Sequence, residues 1–314
     1  MESFRATFGA LGQYYFEVDQ SASQPGAGLR ISDRHRYFSF ALFGDGELKL
    51  AKVAAVIGGA RYDQYETFGE RVSPRTALIL TPLGGTTLKL IFGEAFRAPS
   101  IYELYYEDGS TQAANPDLDP EVLRHFEAVI EQELPGGWAR ASASVFHYDM
   151  FDLITPVTDP VSGLDRFENL EKAEADGFEL GLDGRLPWYG LRGALGYTFS
   201  HVVDVASGKR LSNSPEHVAQ FRLSLPLYED RVFIACAARY LGERPTVLTG
   251  RHLDSAFLFD VTLTCDDLIP GLDLGVGLTN LFDERWSVPG GTEHLQDAIE
   301  QDGRAAWVRL SYSF

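Results

Sequence analysis

The sequence predicts an all-β protein, namely an antiparallel transmembrane β-barrel of about fourteen strands. Three observations predict this fold: runs of about ten residues in which apolar and polar side chains alternate, turn residues between the runs, and little helical periodicity. The alternation gives each strand one apolar face. The opposite face carries small, polar or charged residues, which suit water better than a packed core.

The composition excludes several classes of protein. The chain has 314 residues, of which 45% are hydrophobic, and its formal net charge is −18. It contains no run of about 18 apolar residues, so a transmembrane helix is excluded on length. The acidic balance argues against nucleic acid as a partner, because phosphate binding needs a basic surface. A soluble β-rich binding protein stays as an alternative, although soluble strands are shorter than these runs.

The amino-terminal segment, MESFRATFGALGQYYFEV, predicts a strand that is already under way. It lacks the basic start, apolar core and cleavage site of a secretory signal. If the protein is exported, we therefore expect that its signal peptide is absent from this chain.

Two cysteines, Cys236 and Cys265, lie in alternating segments, each on the apolar face of its strand. They are too few and too far apart in sequence to predict a zinc site or a disulfide scaffold. One interpretation makes them small lipid-facing or packed side chains. The other is a cross-strand disulfide formed in an oxidising compartment.

The connections between runs differ systematically in length. Short connections with Pro, Gly or Asp turn chemistry span residues 134–139, 186–191, 227–231 and 268–273. Long polar connections span residues 100–121, 155–165, 204–215, 242–254 and 283–303. Short turns on one rim and long loops on the other are typical of an outer-membrane barrel.

The last strand ends at the final residue of the sequence. Alternation predicts that Val308, Leu310, Tyr312 and Phe314 face lipid, whereas Arg309 and Ser311 face the interior. The edge of this strand must pair with another strand, because unpaired backbone groups are costly in hydrocarbon.

Three stretches resemble motifs of TonB-dependent outer-membrane receptors. FGEAFRAPSIYELYY at 92–106 and NPDLDPE at 115–121 resemble the paired FRAP and NPDL boxes of that family, and GLTNLFDERW at 277–286 resembles its NLFD signature. The terminal phenylalanine is similar to the family's carboxy-terminal assembly signal. The resemblance covers roughly residues 49–314, and its motif positions are Phe96, Arg97, Pro99, Asn115, Pro116, Leu118, Asn280, Leu281, Phe282 and Phe314.

The resemblance implies a receptor that imports a scarce bulky solute, most often an iron–siderophore complex, across the outer membrane of a Gram-negative bacterium. Family barrels are plugged and have 22 strands. We therefore expect residues 1–314 to form a single, partial barrel domain without a plug domain. The expected partners are outer-membrane lipid, the barrel assembly machinery acting on the last strand, and TonB only if the missing amino-terminal part is supplied. The alternative is a self-contained passive pore of about fourteen strands.

The loop at 100–121 is the first candidate for ligand contact. It holds an aromatic and acidic group of residues that would suit a ligand or a cation: Tyr102, Tyr105, Tyr106, Glu107 and Asp108. The alternative is that the tyrosines mark the membrane interface and the acids are solvated surface. In haem receptors of this family a histidine lies between the two boxes, and residues 100–114 contain none, so haem is disfavoured.

No enzyme, cofactor or metal site is expected. The histidines at 125, 147, 201, 217 and 252 are dispersed without ligand spacing, and the carboxylates show no paired acid and base arrangement. The charged residues Glu179, Arg192, Arg239 and Asp260 are expected to face the lumen, where they are solvated or meet a plug.

Overall fold

The computed structural model describes residues 3–24, 28–186, 189–228, 231–248, 250–291 and 294–314. These residues form a protein that is almost wholly β-structure. The strands are β1 (Phe4–Gln24), β2 (Gly28–Ala51), β3 (Ala54–Tyr65), β4 (Gly69–Leu83), β5 (Thr86–Arg97), β6 (Glu121–Glu133), β7 (Ala139–Thr158), β8 (Asp165–Leu186), β9 (Leu191–Asp204), β10 (His217–Tyr228), β11 (Val232–Leu241), β12 (Arg244–Pro245), β13 (His252–Leu253), β14 (Ala256–Ile269), β15 (Leu272–Thr279), β16 (Ser287–Pro289), β17 (Ala298–Glu300) and β18 (Ala305–Tyr312), and the helix α1 (Ile101–Tyr105) lies between β5 and β6.

One antiparallel sheet of fourteen strands contains all the long strands in chain order. The pairs β12–β13 and β16–β17 form two small separate sheets within loops. Sequential hairpins of this kind need only short connections, which is why each strand pairs with its neighbour in sequence. The predicted all-β antiparallel architecture and its count of about fourteen strands are confirmed.

The register fixes which side chains share a face, because residues directly opposite one another in a sheet point the same way. Val308 lies opposite Val276, Val276 opposite Leu263, and Leu263 opposite Ile234. We call the face with these residues the outer face. Leu310 and Tyr312 also lie on it and are 65% and 62% exposed, as a lipid-facing strand requires.

The opposite face of the sheet, which we call the lumen face, is polar near the last strands. Arg309 and Ser311 lie opposite Gly275 and Asp273 on this face, in agreement with the predicted inward orientation of both. Along β14, β15 and β18 small and polar residues on the lumen face alternate with the apolar row of the outer face, whereas β3, β4 and β5 also carry isoleucines on the lumen face.

The connections fall on two rims. On one, the short-turn rim, connections of two to five residues join β2–β3, β4–β5, β6–β7, β8–β9, β10–β11 and β14–β15. On the other, the loop rim, the connections are longer. One predicted loop is wrong: residues 155–158 and Asp165 belong to strands, because β7 and β8 stay paired as far as Thr158 and Asp165. The predicted loops 242–254 and 283–303 contain the small sheets.

Parts of the predicted connections 186–191, 227–231, 242–254 and 283–303 lie outside the described residues. Within the described residues, β1 pairs with β2 and β18 pairs with β15, and no pairing joins β1 to β18. Among the same residues, no helix is long and apolar enough to cross a membrane.

The two cysteines are not bonded to each other. Cys236 lies opposite Val261, and Cys265 lies opposite Val232, so the thiols are four residues apart along the sheet. At about 3.3 Å per residue this separation exceeds the reach of a disulfide. The interpretation as outer-face side chains holds, and the disulfide alternative is wrong.

Candidate functional site

The candidate site lies at the loop rim, in the connection between β5 and β6. Helix α1 begins after Ser100, whose hydroxyl accepts a hydrogen bond from the backbone N–H of Glu103 at 3.2 Å. The Glu103 carboxylate in turn accepts the N–H of Ser100 at 2.7 Å, which completes a capping box. Ile101 and Leu104 are buried beneath the helix. The cap and the apolar face together fix where the loop leaves the strand.

Arg97 ties this helix to the next strand. Its guanidinium group donates two hydrogen bonds to Glu121 at 2.6 and 2.7 Å, and two to Glu103 at 3.0 Å each. Glu121 also accepts the backbone N–H of Ile154 at 2.9 Å, so the cluster joins β5, α1, β6 and β7. Bidentate contacts of this kind fix geometry as well as adding stability.

The charge state of Glu103 follows from the same contacts. Burial of the carboxyl group opposes its ionisation, but the hydrogen bonds from Arg97 and Ser100 outweigh burial and hold the pKa of Glu103 below its ordinary value. Arg97 in the FRAP box therefore has a structural role at the base of the loop. Phe96 packs edge-on against Phe68 and Tyr65, with ring centroids 5.8 and 6.2 Å apart.

The NPDL box closes the other end of the loop. The backbone N–H of Asn115 donates to the Leu104 carbonyl at 2.9 Å, and its side-chain amide donates to the Phe167 carbonyl at 2.7 Å. Leu118 is buried at 2% exposure. The side-chain oxygen of Asn169 in β8 accepts the Asp119 N–H, and its side-chain amide donates to the Asp119 carbonyl, at 2.9 Å each. Both boxes thus anchor the loop to neighbouring strands.

The three tyrosines occupy different surroundings. Tyr105 stacks on His35 of β2, with ring centroids 4.4 Å apart and planes 15° apart. Tyr102 and Tyr106 pack against each other at 4.6 Å, and Tyr102 is 46% exposed. Its hydroxyl donates to Gln112 at 3.2 Å. Tyr102 and Tyr106 together present an aromatic surface to solvent, whereas Tyr105 holds the helix to the wall.

The two neighbouring acids also differ. Asp108 accepts backbone N–H bonds from Ser110, Thr111 and Gln112 at 2.8, 2.6 and 3.0 Å, and a further bond from the Thr111 hydroxyl. The bonds from Thr111, followed by those from Gln112 and Ser110, hold the pKa of Asp108 far below its ordinary value. Glu107 is exposed and bonds to none of the described residues. Asp108 therefore shapes the loop tip, and Glu107 is the carboxylate left open to a ligand.

The NLFD signature forms the turn that leaves β15. Asn280 has a left-handed backbone with φ of 49° and is 6% exposed. Its N–H donates to Asp260 at 2.8 Å, its side-chain amide donates to the Glu284 carbonyl, and its side-chain oxygen accepts the Glu284 N–H. Asp260, expected as a lumenal charge, is thus engaged in holding this turn.

The other positions of that signature lie around the turn. The backbone N–H of Leu281 donates to the Phe259 carbonyl at 2.7 Å, and the Phe282 ring packs against Phe259 with centroids 5.6 Å apart. Phe314 lies beyond β18 and is fully exposed. Pro99 and Pro116 lie at the two ends of the loop, where β5 and α1 meet and where the return segment begins.

One buried cation at this rim, Arg244, was not predicted from the sequence. Arg244 is 2% exposed, and its side chain donates one long hydrogen bond, at 3.4 Å, to the Asp254 carbonyl. Its guanidinium carbon lies 6.0 Å from the centre of the Trp286 ring, and its Nε forms no hydrogen bond with a described residue. Burial lowers the pKa of Arg244. Burial cannot be read from residues 242–254, because it arises where two distant loops meet.

Within the described ranges, no group of three or more His, Cys, Asp or Glu side chains is placed to hold a metal ion. The site offers the aromatic pair Tyr102 and Tyr106, the exposed carboxylate of Glu107 and a loop base held by hydrogen bonds. These features suit recognition of a solute at the loop rim. The assignment of Tyr102, Tyr105, Tyr106, Glu107 and Asp108 as ligand contacts stays a prediction.

Comparison with known proteins gives a consistent picture. A family model described as "TonB dependent receptor-like, beta-barrel" matches residues 3–281. The metal-pseudopaline receptor CntO of Pseudomonas aeruginosa is 27% identical over 277 residues, which cover 76% of this chain and 37% of that protein. The ferric enterobactin receptor of the same species is 24% identical over 344 residues, which cover 95% of this chain and 45% of that receptor.

Solved structures share the fold. A structure of a mutant ferric enterobactin receptor, PfeA of Pseudomonas aeruginosa, in complex with enterobactin matches with a TM-score of 0.79 at 22% identity, covering 100% of this chain and 52% of that one. This chain therefore spans about half the length of the solved receptors and less than half the length of the curated relatives.

Proposed function

This chain belongs to the TonB-dependent receptor family through its β-barrel region, and on that basis we propose that it forms part of the membrane wall of a receptor for an iron–siderophore complex. The observation that carries the proposal is the 27% identity, over 277 residues, to a receptor named for a metal–pseudopaline complex. A second relative is named as a ferric enterobactin receptor, so both names denote a receptor for a complex that contains a metal.

The geometry supports a receptor role. The outer face is apolar where β11, β14, β15 and β18 pair, which suits outer-membrane lipid as its surroundings, and we propose that location in a Gram-negative bacterium. The loop rim presents Tyr102 and Tyr106 on a rigid base, at the place where a solute would first meet the protein. The role we propose is transport rather than catalysis.

The partners follow from the same proposal. We assign assembly into the membrane to the barrel assembly machinery acting on β18, and energised uptake by the whole receptor to TonB. We propose that residues 1–314 act as one partial barrel domain. The described register does not favour the alternative of a self-contained pore, because β1 and β18 are not joined in it.

The test is direct binding to the purified chain in detergent. Ferric enterobactin, metal-loaded pseudopaline and the corresponding metal-free chelators are titrated while tryptophan fluorescence is followed, since Trp286 lies within a loop of the candidate rim. We expect saturable quenching by a metal-loaded chelator and weaker quenching by its metal-free form. Absence of saturable quenching by every metal complex would contradict the proposal.

A further inference from the structure

A groove of about 570 Å³ crosses the outer face where β4, β5, β6 and β7 pair. Leu90 lies opposite Ala128, and Ala128 lies opposite Val145. Ala143, two residues along β7 from Val145, begins a row of opposite residues that ends in β14: Leu180, Tyr197, Ala219, Tyr240 and Phe257. The last of these shares its face of β14 with Leu263, so the groove lies on the outer face.

The groove is apolar and has a small residue at its centre. Around Ala128 stand larger side chains that project from the sheet, since Leu90, Phe126 and Val145 are 55%, 46% and 59% exposed. The Phe126 ring packs against Phe92, with centroids 5.0 Å apart, which holds it beside the groove. A hydrocarbon chain in such a groove makes more dispersion contacts than it would make on a flat wall.

A group of charged side chains adjoins the groove on its loop-rim side. Arg124 of β6 lies opposite Glu94 of β5 and opposite Asp149 of β7. The Arg124 Nε donates to Glu94 at 3.1 Å. Lys172 of β8 contacts Glu174 at 2.9 Å and Asp149 at 3.5 Å. We call these five residues the outer charge cluster.

The basic members of the outer charge cluster are more exposed than the acids beside them. The side chains of Arg124 and Lys172 are 39% and 40% exposed, whereas those of Glu94 and Asp149 are each 17% exposed. Both basic groups lie over the Phe151 ring, at 5.3 and 5.0 Å from its centre. An anion that approaches this face therefore meets two neighbouring cations first.

Two further acids lie near the groove, and both are paired with a base. Glu174 contacts Lys172 at 2.9 Å. Asp176 contacts His147, which lines the groove, at 2.8 Å. A nearby base offsets the field of each carboxylate, so neither repels an anion as strongly as an isolated carboxylate would.

The outer face is different at the same rim in the last long strands. Phe257 near the start of β14, Leu278 near the end of β15 and Ala306 near the start of β18 lie on the outer face. These positions are apolar, as contact with lipid chains alone requires. Arg124 and Lys172 thus mark a part of the face that is suited to polar groups as well.

Stability alone does not explain the position of the outer charge cluster. Exposed ion pairs add little to the stability of a protein. A charge that faces the middle of a bilayer is costly, whereas a charge near the headgroups costs much less. Long basic side chains keep their apolar stems against the protein and place their charged ends at the polar level. The cluster therefore suits the level of lipid headgroups, and the groove suits the level of lipid chains.

One lipid molecule can reach both features. Arg124 and Ala128 are four residues apart on β6, which corresponds to about 13 Å along the strand. Each leaflet contributes about 15 Å to the hydrocarbon core of a bilayer. An acyl chain that starts beside Arg124 is therefore long enough to lie along Ala128.

We propose that the groove and the outer charge cluster together bind one phosphate-bearing lipid of the surrounding membrane. Its phosphate group contacts Arg124 and Lys172, and one acyl chain lies in the groove over Ala128. Clustered basic side chains at a membrane surface recognise anionic headgroups in this way. The inference rests on the proposed function, because it requires that the outer face of this wall meets lipid.

The test counts the lipids bound to the purified chain in detergent by native mass spectrometry. The probes are dimyristoyl phosphatidic acid, dimyristoylglycerol, which has the same chains without the phosphate, and inorganic phosphate. We expect one molecule of phosphatidic acid to bind, and dimyristoylglycerol to bind at least about tenfold more weakly. Inorganic phosphate should not displace the phosphatidic acid, because it has no chain to occupy the groove.

Variants separate the phosphate contact from the chain contact. R124Q/K172Q should bind phosphatidic acid at least about tenfold more weakly and leave the binding of dimyristoylglycerol unchanged. R124K/K172R keeps both charges and should retain most of the affinity. A128W fills the groove and should weaken the binding of both lipids. Heat-modifiable gel mobility shows that each variant is folded.

Two control variants make the same chemical changes away from the groove. R34Q/R166Q also removes two arginines that are paired with acids, and A238W places the same ring on the outer face of β11. Both should bind phosphatidic acid within about threefold of wild type. Equal affinity of wild type and R124Q/K172Q for phosphatidic acid overturns the inference. Displacement of the lipid by inorganic phosphate also overturns it, because the site would then be one for free phosphate.

The two proposals fail separately. Saturable binding of a metal–siderophore complex, with no preference for phosphatidic acid over dimyristoylglycerol, overturns the lipid site and leaves the receptor role intact. Phosphatidic acid binding that depends on Arg124 and Lys172, without binding of any metal–siderophore complex, overturns the siderophore assignment and supports the lipid site.

Discussion

Arg97 and Glu121 lie directly opposite each other at the ends of β5 and β6, joined by two hydrogen bonds of 2.6 and 2.7 Å. The same guanidinium group holds Glu103 of α1. One side chain therefore fixes the geometry at which the strand ends, the helix begins and the next strand starts. This contact explains why the loop 98–120 has a defined shape despite lying at the rim.

Replacing Arg97 should loosen this loop without unfolding the sheet. R97A leaves two carboxylates side by side without a counter-charge, and we expect a local cost of about 1–2 kcal/mol because the site is partly exposed. The measurement is the rate of chymotryptic cleavage after the loop tyrosines, which should rise about tenfold. R97K keeps the charge but not the paired hydrogen bonds, so its cleavage rate should lie between those of wild type and R97A. A cleavage rate in R97A equal to that of wild type would contradict the role assigned to Arg97.

The loop tip should be insensitive to pH over the neutral range and lose order only in acid. The pKa values of Glu103 and Asp108 lie below their ordinary values of 4.5 and 3.8. Groups with a lowered pKa in the folded state contribute stability above the unfolded value, and that stability is lost as pH falls through the folded value. A nitroxide at position 110 should therefore show constant mobility from pH 8 to pH 5 and rising mobility below pH 3.8.

We expect Asp108 to determine the mobility of the label at the loop tip. D108N should raise the mobility of the label already at neutral pH, because the three backbone N–H groups lose their charged acceptor. D119N is the control, since the Asp119 carboxylate bonds to none of the described residues. Equal effects of the two substitutions would show that Asp108 does not organise the tip.

A positive charge should be tolerated on one face of β14 and not on the other. Leu263 lies on the outer face near the middle of the strand, and its neighbour Thr262 lies on the lumen face. L263K should lower the free energy of unfolding in lipid bilayers by about 2–4 kcal/mol, whereas T262K should change it little. Folded fractions over a urea series, read from heat-modifiable gel mobility, give both values, and similar values for the pair would refute the orientation of the sheet.

The turn after β15 should depend on Asn280 in two separable ways. N280A loses the side-chain bonds to Glu284 and places a Cβ-bearing residue without stabilising contacts at a φ of 49°. We expect a cost of roughly 2–3 kcal/mol. N280G removes the same bonds, but glycine adopts this backbone angle readily, so N280G should lower the free energy of unfolding by less than N280A does. The difference between the two free energies measures the cost of the backbone angle.

Ligand affinity should respond to the exposed aromatic pair more than to the third tyrosine. Y102A/Y106A removes the surface that the two rings present, and a metal–siderophore complex that binds wild type should bind this variant about tenfold more weakly or worse. Y105F keeps the ring that stacks on His35 and serves as the control. Unchanged affinity in the double variant would leave these tyrosines as interface residues.

Alternation alone predicted the long strands, about fourteen in number, and the two faces of the last strand, because in a sheet the period of two fixes orientation wherever one side meets lipid. The faces predicted for Leu310 and Ser311 are correct for that reason. The paired extension of β7 and β8 was missed, since Pro156 and Gly163 indicate a loop, yet Pro156 lies opposite Phe167 in a continuing ladder.

The contacts within the candidate site could not be read from the sequence. Glu103, Glu121 and Ile154 meet Arg97 or its partner through register and turn geometry, which depend on the whole sheet. The sequence does not show that the carboxylate of Asp108 accepts backbone N–H groups, because these contacts depend on the conformation of the loop.

The anchoring of the first long loop at both ends gives it the character of an interchangeable cassette. Arg97 and Ser100 fix its entrance, while Asn115 and Leu118 fix its exit to the wall. The Thr111 carbonyl is also held by the Asp165 N–H at 2.8 Å, so only residues 107–110 form no hydrogen bond with another element among the described residues. A lineage, or an engineer, can exchange that stretch to recognise a new solute while the membrane-embedded wall stays as it is.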